Sequence, residues 1–280
     1  MSNILSQVTT NKQSSGIRVV IAGVEKIGKT TLACGSSRPL LIPLEIGYAG
    51  VNVNKTPFIE SYENFILLLD EIIESCKKDK FIYKTIVIDS VTALERLIHL
   101  KVLSLDPLWK AGNSKGLIMD NALGGYGKAY NMSNELFSGI LSKLDQIVIN
   151  KKVTVVMTAH VFANNVVDPT SGEYQTWDLL LHSPKNNKTY GKREILSQWT
   201  DLIGFLYEPV YINKSSDNVS LGISANKGRI LGLERTPGYV AGNRFGCKGE
   251  ISIPKEQCWN YLADCIYKSS GIDVYNKDLS

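Results

Sequence analysis

Short, uninterrupted apolar runs alternate along the chain with stretches whose apolar residues recur at helical spacing. The strongest runs lie at 18–22, 39–43, 85–89 and 153–160, and they consist mainly of Val, Ile and Leu. Bare apolar runs of this length are typical of strands that are buried on both faces of a parallel sheet. The alternation predicts an α/β fold in which helices flank a mainly parallel central sheet.

Amphipathic segments between these runs predict the connecting helices. Ser61 is a suitable helix N-cap, and apolar residues follow it at helical spacing as far as Cys76. The segment 104–127 contains several glycines and is expected to be a mobile surface excursion. Helices are also predicted over three further segments, 91–103, 131–149 and 254–268.

The pattern weakens after residue 160. The segment 161–183 is polar and irregular, so it predicts no regular element. Strand character returns at 201–207 and 219–224, and a short additional strand is predicted earlier in the chain at 57–59. The sequence shows no internal repeat and no low-complexity linker, so one elaborated domain is expected.

Composition is that of an ordinary globular protein. Apolar residues make up 44% of the 280 residues, and the formal net charge is +4. No apolar stretch approaches the roughly 20 residues of a membrane helix, and residues 1–16 contain no signal-peptide core, so a cytoplasmic protein without a membrane partner is expected. The five cysteines include no C-x-x-C pair, which favours reduced, structural thiols over a zinc site.

The segment 23–30 carries the clearest chemical motif. It matches G-x-x-x-x-G-K-[ST] and lies between an apolar strand and a helix, which is the context the motif requires. Lys29 is expected to reach the β- and γ-phosphates of a nucleoside triphosphate, and the Thr30 hydroxyl to ligate Mg²⁺. The alternative, a glycine turn without a ligand, would not require Lys and Thr there. The expected phosphate-binding residues are Gly23, Val24, Glu25, Lys26, Ile27, Gly28, Lys29, Thr30 and Thr31.

Three polar residues follow predicted strands and are expected at the edge of the sheet where the loop lies. Asp89 ends the third strong run and is predicted to hold the Mg²⁺. Glu45 follows the second run and is predicted to activate the attacking water. His160 ends the fourth run and is predicted to sense the γ-phosphate. The ordinary alternatives are a turn residue, a solvated loop glutamate and a hydrogen-bonded strand-end histidine.

These residues resemble those of the RecA-like ATPases. The segment 85–94 is similar to their Walker B strand, Glu45 stands where the family keeps its catalytic glutamate, and His160 replaces a glutamine. More narrowly, 125–128 and 235–246 resemble small phage-encoded ATP-binding proteins, some of which are core-only single-strand annealing recombinases. The resemblance implies ATP as the cofactor, a homo-oligomer and the host cytoplasm. It divides the chain into a tail, a RecA-like core and a C-terminal helical appendage, at 1–16, 17–250 and 251–280.

Two groups of residues are candidates for contacts beyond the nucleotide. In RecA-like proteins the loop after the His160 strand contacts DNA, so single-stranded DNA is an expected partner. The candidate contacts are Lys185, Lys188, Tyr190, Lys192 and Arg193, for which a solvated basic loop is the alternative. Lys227 and Arg244 are candidates for a cation that reaches the γ-phosphate of a neighbouring subunit.

The leading functional hypothesis is a Mg²⁺-dependent ATPase that acts on single-stranded DNA in phage-type recombination or annealing. A single-strand-binding protein is a further candidate partner. A nucleotide-dependent switch or loader that binds a replication protein, and no DNA, is the alternative. A small-molecule kinase is a third option, and it requires an acceptor pocket and lid arginines that the sequence does not reveal.

Overall fold

The computed structural model describes residues 16–170, 172–184, 190–214, 220–224, 228–254 and 256–276. The strands are β1 Arg18–Ala22, β2 Pro39–Pro43, β3 Asn54–Lys55, β4 Thr85–Asp89, β5 Thr154–Ala159, β6 Val161–Asp168, β7 Gly172–Leu179, β8 Leu202–Tyr207, β9 Val210–Lys214, β10 Ser220–Ser224, β11 Arg229–Gly232, β12 Gly242–Asn243 and β13 Glu250–Ile253. The helices are α1 Lys29–Cys34, α2 Tyr62–Lys77, α3 Val91–Ser104, α4 Pro107–Lys110, α5 Lys128–Lys151, α6 Lys192–Trp199 and α7 Cys258–Ser270.

A mainly parallel sheet forms the centre of the fold. Its strand order is β13-β11-β8-β1-β5-β4-β2-β3, with β12 paired to β8 off this path. The strands from β8 to β3 in this order run parallel, whereas β11, β12 and β13 pair antiparallel. The predicted fold class is confirmed. Because the carboxyl ends of parallel strands meet at one edge, the turns after β1, β2, β4 and β5 open side by side.

Helices cover both faces of the sheet because successive strand residues point to opposite faces. Val20 of β1 packs with α2, α3 and α5 in one buried cluster, which includes Phe65 and Phe137. Its neighbour Val19 packs with α1 and α7 in a second cluster on the other face, around Trp259. This two-sided burial explains why the central strands read as unbroken apolar runs.

The segment 251–276, which the sequence sets apart as an appendage, contributes to the same layers. β13 extends the sheet by pairing antiparallel with β11. On α7, Trp259 is 1% exposed, and its indole N–H donates to the Val274 carbonyl at 2.8 Å. The aromatic ring is thus both buried and hydrogen-bonded, which holds the segment around Val274 against α7.

Several connections differ from the sequence predictions. No strand forms at 57–59. Instead Asn54 and Lys55 pair with β2, and the Ile59 N–H donates to the carbonyl of Pro43, the last residue of β2. The segment expected to be irregular contains an antiparallel hairpin, β6 and β7, in full register. Its residues alternate between half-buried and exposed because the hairpin extends from the sheet.

The excursion at 104–127 is only partly regular. It contains the short α4 and one 3-10 turn, Ala122–Gly124, and it packs on α3 and α5 through a small cluster that includes Met119 and Ala122. Asp106 anchors it, because its carboxylate accepts from the backbone N–H groups of Leu108 and Leu123.

Across the described ranges, none of the helices is both long and apolar enough to cross a membrane.

Candidate active site

The loop between β1 and α1 requires glycine at two positions, one because a backbone lies very close and one because φ is positive. A Cβ atom on Gly23 would lie 2.5 Å from the Leu206 carbonyl oxygen of β8. Gly28 has a φ of +97°, and a Cβ there would lie 2.1 Å from the guanidinium of Arg229. Only glycine meets both demands without strain. The backbone can therefore turn sharply from the strand into the helix.

Lys29, the first residue of α1, folds back across this loop. Its ammonium group donates to the carbonyl oxygens of Gly23 at 2.9 Å and Val24 at 2.8 Å, and the residue is only 6% exposed. Burial lowers the pKa of the Lys29 ammonium, although the nearby carboxylates of Asp89 and Glu25 act in the opposite direction. A positive charge thus lies at the start of the helix, where anions are favoured.

Thr30 and Asp89 form a set of oxygen ligands beside Lys29. The Thr30 hydroxyl donates to Asp89 Oδ2 at 2.9 Å, and the Thr158 hydroxyl of β5 donates to the other carboxylate oxygen. Asp89 ends β4, so the order of neighbouring strands brings it to the loop. A hydroxyl and a carboxylate are donors that Mg²⁺ prefers, and the remaining positions would be filled by phosphate oxygens and waters. The residues therefore fit a magnesium site.

Glu45 lies just after β2, at the same edge of the sheet. The Ser90 hydroxyl donates to Glu45 Oε1, and His160 Nε2 lies 3.2 Å from each oxygen of the carboxylate. Arg96 of α3 adds a weaker ion pair at 4.0 Å. The hydrogen bond from His160 is the largest cause that lowers the pKa of Glu45, to about 2. The Glu45 side chain is therefore ionised and oriented at neutral pH.

His160 connects this carboxylate to its surroundings. Its backbone N–H donates to the Thr92 hydroxyl at 3.1 Å, and its Nδ1 lies 3.6 Å from Glu25 Oε1 in the loop. The next residue begins β6, and the His160 carbonyl accepts from the Leu180 N–H where β7 ends. His160 is thus the point at which the hairpin meets Glu45.

The predicted DNA contacts separate into three groups. Lys185 and Lys188 lie outside the described residues. Tyr190 is 65% exposed. Lys192 is fully buried and paired with Glu95 at 3.3 Å, which removes it from the predicted set, because a buried ammonium cannot meet a DNA phosphate. Arg193 is also engaged, through an ion pair with Asp178 at 2.7 Å.

Lys192 belongs to a buried polar cluster on α3. Glu95 accepts from the His182 backbone N–H at 2.9 Å, and the Lys192 ammonium lies 3.1 Å from His99 Nε2. The His182 ring stacks on Tyr130 at 3.8 Å between centroids. Burial, reinforced by the charge of Lys192, lowers the pKa of His99 to about 3. His99 is therefore neutral in the folded protein at physiological pH.

Stability is expected to fall as the pH drops below 6.5, because unfolded His99 takes up a proton near 6.5 and folded His99 only near 3. The unfolded state binds more protons in this window, so acid favours unfolding. From pH 6.5 to 5 the loss attributable to His99 should be about 1–2 kcal/mol. Urea unfolding of the wild type and His99→Gln at both pH values measures it. Burial also lowers the pKa of His182, so the free energy of unfolding of the variant should still fall somewhat with pH. An equal fall for the wild type and the variant would contradict the assignment to His99.

The candidates for a trans-acting cation are resolved only in part. Lys227 lies outside the described residues. Arg244 lies near the amino end of β8, at the opposite edge of the sheet from the loop, where it pairs with Asp201 at 3.0 Å and donates to the Gln198 carbonyl. Arg244 is therefore too far from its own phosphate loop to act there. Its side chain is half-exposed, which is compatible with a contact to a neighbouring subunit.

Sequence reasoning missed several residues of the site. Ser90 follows Asp89 and caps α3, and the sequence carries the signal of this N-cap. The cap places the Ser90 hydroxyl at the sheet edge where Glu45 also lies. Thr158 is a polar residue within an apolar strand, which is a weaker signal. The contact of Arg229 with the loop depends on the pairing of β11 with β8 and has no local signal.

Comparison with known proteins identifies the type of domain. The family model described as an AAA domain matches residues 15–245. No match was found among curated proteins. The matched range contains the loop, Glu45, Asp89 and His160.

Proposed function

Because this chain belongs to the AAA domain family, whose members are P-loop NTPases, we propose that it hydrolyses ATP with Mg²⁺ and acts as a homo-oligomer on single-stranded DNA in phage-type recombination or annealing. One observation carries the hydrolytic part. The loop with Lys29 and Thr30 lies at the same sheet edge as Asp89, Glu45 and His160. An edge of this kind holds a phosphate, a metal and an oriented water together.

The phosphates are held by the loop N–H groups and by Lys29. Thr30 and Asp89 would hold Mg²⁺, which when bound neutralises charge on the β- and γ-phosphate oxygens. In the reaction, a water oxygen forms a bond to the γ-phosphorus while the bond from that phosphorus to the bridging oxygen breaks. ADP and inorganic phosphate are the products, and the water proton leaves by way of the Glu45 carboxylate.

The environment of Glu45 suits orientation of the water more than early removal of its proton. A carboxylate with a pKa of about 2 is a weak base but a permanent hydrogen-bond acceptor. Phosphoryl transfer through a loose transition state requires little base strength, so a well-placed acceptor is sufficient. His160 keeps the Glu45 carboxylate in position through the two contacts of 3.2 Å.

The DNA part of the proposal is supported by the resemblance to RecA-like ATPases and by Tyr190. This ring is 65% exposed, and its backbone is held by the Asn134 side-chain amide, which donates to the Tyr190 carbonyl at 2.9 Å. An exposed ring preceded in sequence by Lys185 and Lys188 suits a single strand, because bases stack on the ring and lysines meet phosphates.

Single-stranded DNA is expected to raise the rate of phosphate release several-fold, and Tyr190→Ala to weaken DNA binding by about 5- to 100-fold, the range for loss of one stacked base. Binding should also weaken steeply with added salt. Phosphate release and fluorescence anisotropy of a labelled oligonucleotide measure these effects. Tyr261→Ala, which removes an exposed ring from α7, is the matched control. A flat rate across the DNA titration, in protein of confirmed assembly state, would count against a DNA partner.

A partner protein is the second candidate, and the hairpin favours it. Residues 161–179 carry three carboxylates, Asp168, Glu173 and Asp178, and no Lys or Arg. Arg193 of α6 neutralises Asp178, so the net negative charge of the hairpin comes from Asp168 and Glu173. An acidic element repels a phosphate backbone and suits a basic protein surface. β6 begins at the residue after His160. In a loader or switch, the hairpin would therefore transmit the state of the bound nucleotide to the partner protein. If the protein turns over ATP but binds no oligonucleotide at either low or high salt concentration, this second function is favoured.

A further inference from the structure

The segment 235–244 belongs to a motif that stands out in the sequence, and the hydrolytic edge of the sheet uses none of it. This segment lines one side of a groove of about 440 Å³, and β7, the end of α6 and the start of β8 line the rest. Ligand pockets in proteins have volumes of about 300–1,000 Å³, so the groove is large enough to hold side chains of a binding partner.

Backbone hydrogen bonds fix the two walls of the groove to each other. The Trp177 N–H of β7 donates to the Gly238 carbonyl at 2.9 Å, and the Val240 N–H donates to the Trp177 carbonyl at 2.8 Å. Between these two bonds, the Tyr239 ring stacks on Phe205 of β8, with 4.7 Å between the ring centroids. The groove is therefore pre-formed, and binding there costs little ordering of the protein.

The two carboxylates that line the groove are already neutralised. Asp201 accepts from the guanidinium of Arg18 at 2.8 Å and from that of Arg244 at 3.0 Å. Asp178 pairs with Arg193 at 2.7 Å. Because arginine donors occupy both carboxylates, the groove offers no unpaired acid to a cationic group.

The groups of the groove that keep open hydrogen-bonding capacity are N–H and O–H donors. Arg235 is exposed, and the part of the chain that the structure describes provides its guanidinium with no ion pair. Within the same ranges, the Trp177 indole N–H and the hydroxyls of Tyr174 and Thr176 have no hydrogen-bond partner. Trp177 is 40% exposed, and Ile203 adds an apolar surface. A carboxylate beside an apolar side chain matches these groups.

The charges beside the groove favour a peptide over a nucleic-acid strand. Glu173 precedes Tyr174 and Glu234 precedes Arg235, and both glutamates are exposed. A nucleic-acid strand carries a negative charge at every nucleotide, so these two carboxylates repel it. A peptide can instead present an acidic residue to Arg235 and basic residues to the glutamates, which makes its charges complementary to those of the protein.

We infer that this groove binds a segment of a partner protein that presents an acidic side chain next to an apolar one. Arg235 pairs with the acidic side chain, and the rings of Tyr174 and Trp177 contact the apolar one. The inference rests on the second candidate function, in which the partner is a protein, and it adds the place and the chemistry of the contact. It does not depend on ATP hydrolysis.

The probe is a displayed library of random twelve-residue peptides, selected on the full-length wild-type protein. Enriched peptides should carry Asp or Glu next to an apolar residue, and one of them is then synthesised with a fluorescent label. Arg235→Glu should raise its Kd by about 10- to 100-fold, as expected when a hydrogen bond between charged groups is lost. Arg235→Lys should keep part of the affinity, because it retains the charge but not the fork of donors.

Two further variants separate the groove from its charge. Thr176→Trp fills the groove from a half-buried position on β7, so it should weaken peptide binding without changing any charge. Lys248→Glu reverses a charge at an exposed residue just beyond the motif and is the matched control, with a Kd within about twofold of the wild type. ATP turnover should stay at the wild-type level in all of these variants, which also shows that they fold.

Several outcomes would overturn the inference. If the selected peptides bind equally well to Arg235→Glu and Thr176→Trp, the partner contact lies elsewhere, although a partner protein remains the function. If these variants instead lose oligonucleotide binding, the groove holds DNA, and if they change the size of the assembly, it holds a second copy of the chain. If no peptide is enriched while single-stranded DNA binds, the partner-protein function itself is wrong. Absence of ATP turnover in the wild type would contradict the hydrolytic proposal and leave the peptide result standing.

Discussion

Replacing Lys29 with alanine is expected to abolish ATP turnover, with a loss of at least about 10²- to 10³-fold. The Lys29 ammonium lies at the start of α1, within hydrogen-bond distance of the loop carbonyls of Gly23 and Val24. With a triphosphate in the loop, it is the charge nearest to the β- and γ-phosphates. Its loss removes stabilisation of the charge that develops when the bond to the γ-phosphorus breaks. Phosphate release under saturating ATP, with Mg²⁺, measures the effect.

The same variant should remain folded. Lys29 is buried and burial lowers its pKa, so the folded protein holds an ammonium group at a cost that alanine does not incur. The melting temperature should therefore stay the same or rise. Lys268→Ala, which removes an exposed lysine from α7, should leave turnover unchanged and controls for the loss of one positive charge. Wild-type turnover in highly purified Lys29→Ala protein would contradict the hydrolytic proposal.

The parts of the fold that the sequence predicts are those set by local physics. The strands at 18–22 and 85–89 have the predicted bounds, because residues buried on both faces leave an unbroken apolar run. The helix after Ser61 also begins as predicted, with the Ser61 hydroxyl accepting from the Asn64 N–H at 3.2 Å. The helix at 128–151 extends beyond the predicted 131–149, since frayed ends carry weak signals.

The hairpin after His160 was missed for a physical reason. Only one face of each strand meets the protein, so the apolar content of 161–183 is low and its composition resembles that of a loop. A signal does exist. Phe162, Asn164, Val166 and Asp168 are the half-buried positions of an alternating pattern, and a turn that contains Pro, Ser and Gly follows. The sequence of β6 therefore alternates with a period of two, but the signal is weak because half of the inward-facing residues are polar.

Burial of Lys192 could not be read from the sequence. A lysine near Tyr190, between polar residues, is typical of a solvated loop. The structure places it at the start of α6, against Glu95 of α3, which is nearly one hundred positions earlier in the chain. Pairing over such a distance depends on how α3 and α6 pack, and no local pattern encodes it. The proximity of Glu45, Asp89 and His160 can be predicted from the sequence, because the carboxyl ends of parallel strands share one edge of the sheet.

Helix α3 offers a route between the site and the segment proposed to meet a partner. Ser90, its N-cap, donates to Glu45, and Thr92 accepts from the His160 backbone N–H. One turn farther along, Glu95 accepts from the His182 backbone N–H and pairs with Lys192. Glu45 and His160 therefore contact the same helix that holds His182 and Lys192, the two residues on either side of the proposed partner-binding segment.

Replacing Glu45 with glutamine should separate binding from hydrolysis. The amide has the shape of the carboxylate and its oxygen can still accept from Ser90, so the Kd for ATP should change less than about threefold, whereas kcat should fall by about 10²- to 10³-fold. The reason is that the Ser90 hydroxyl occupies the single amide oxygen, so the amide presents only its NH2 group to the water and the acceptor that orients the water is lost. Calorimetry and single-turnover phosphate release measure the two quantities.

Glu60→Gln, which makes the same change at an exposed glutamate beyond β3, is the matched control and should leave both quantities unchanged. The pH dependence provides an independent check on Glu45. Since the pKa of Glu45 is lowered to about 2, its carboxylate is ionised above about pH 4, and its protonation should not limit kcat in that range. A Glu45→Gln protein that binds ATP and turns it over within threefold of the wild type would show that another group orients the water.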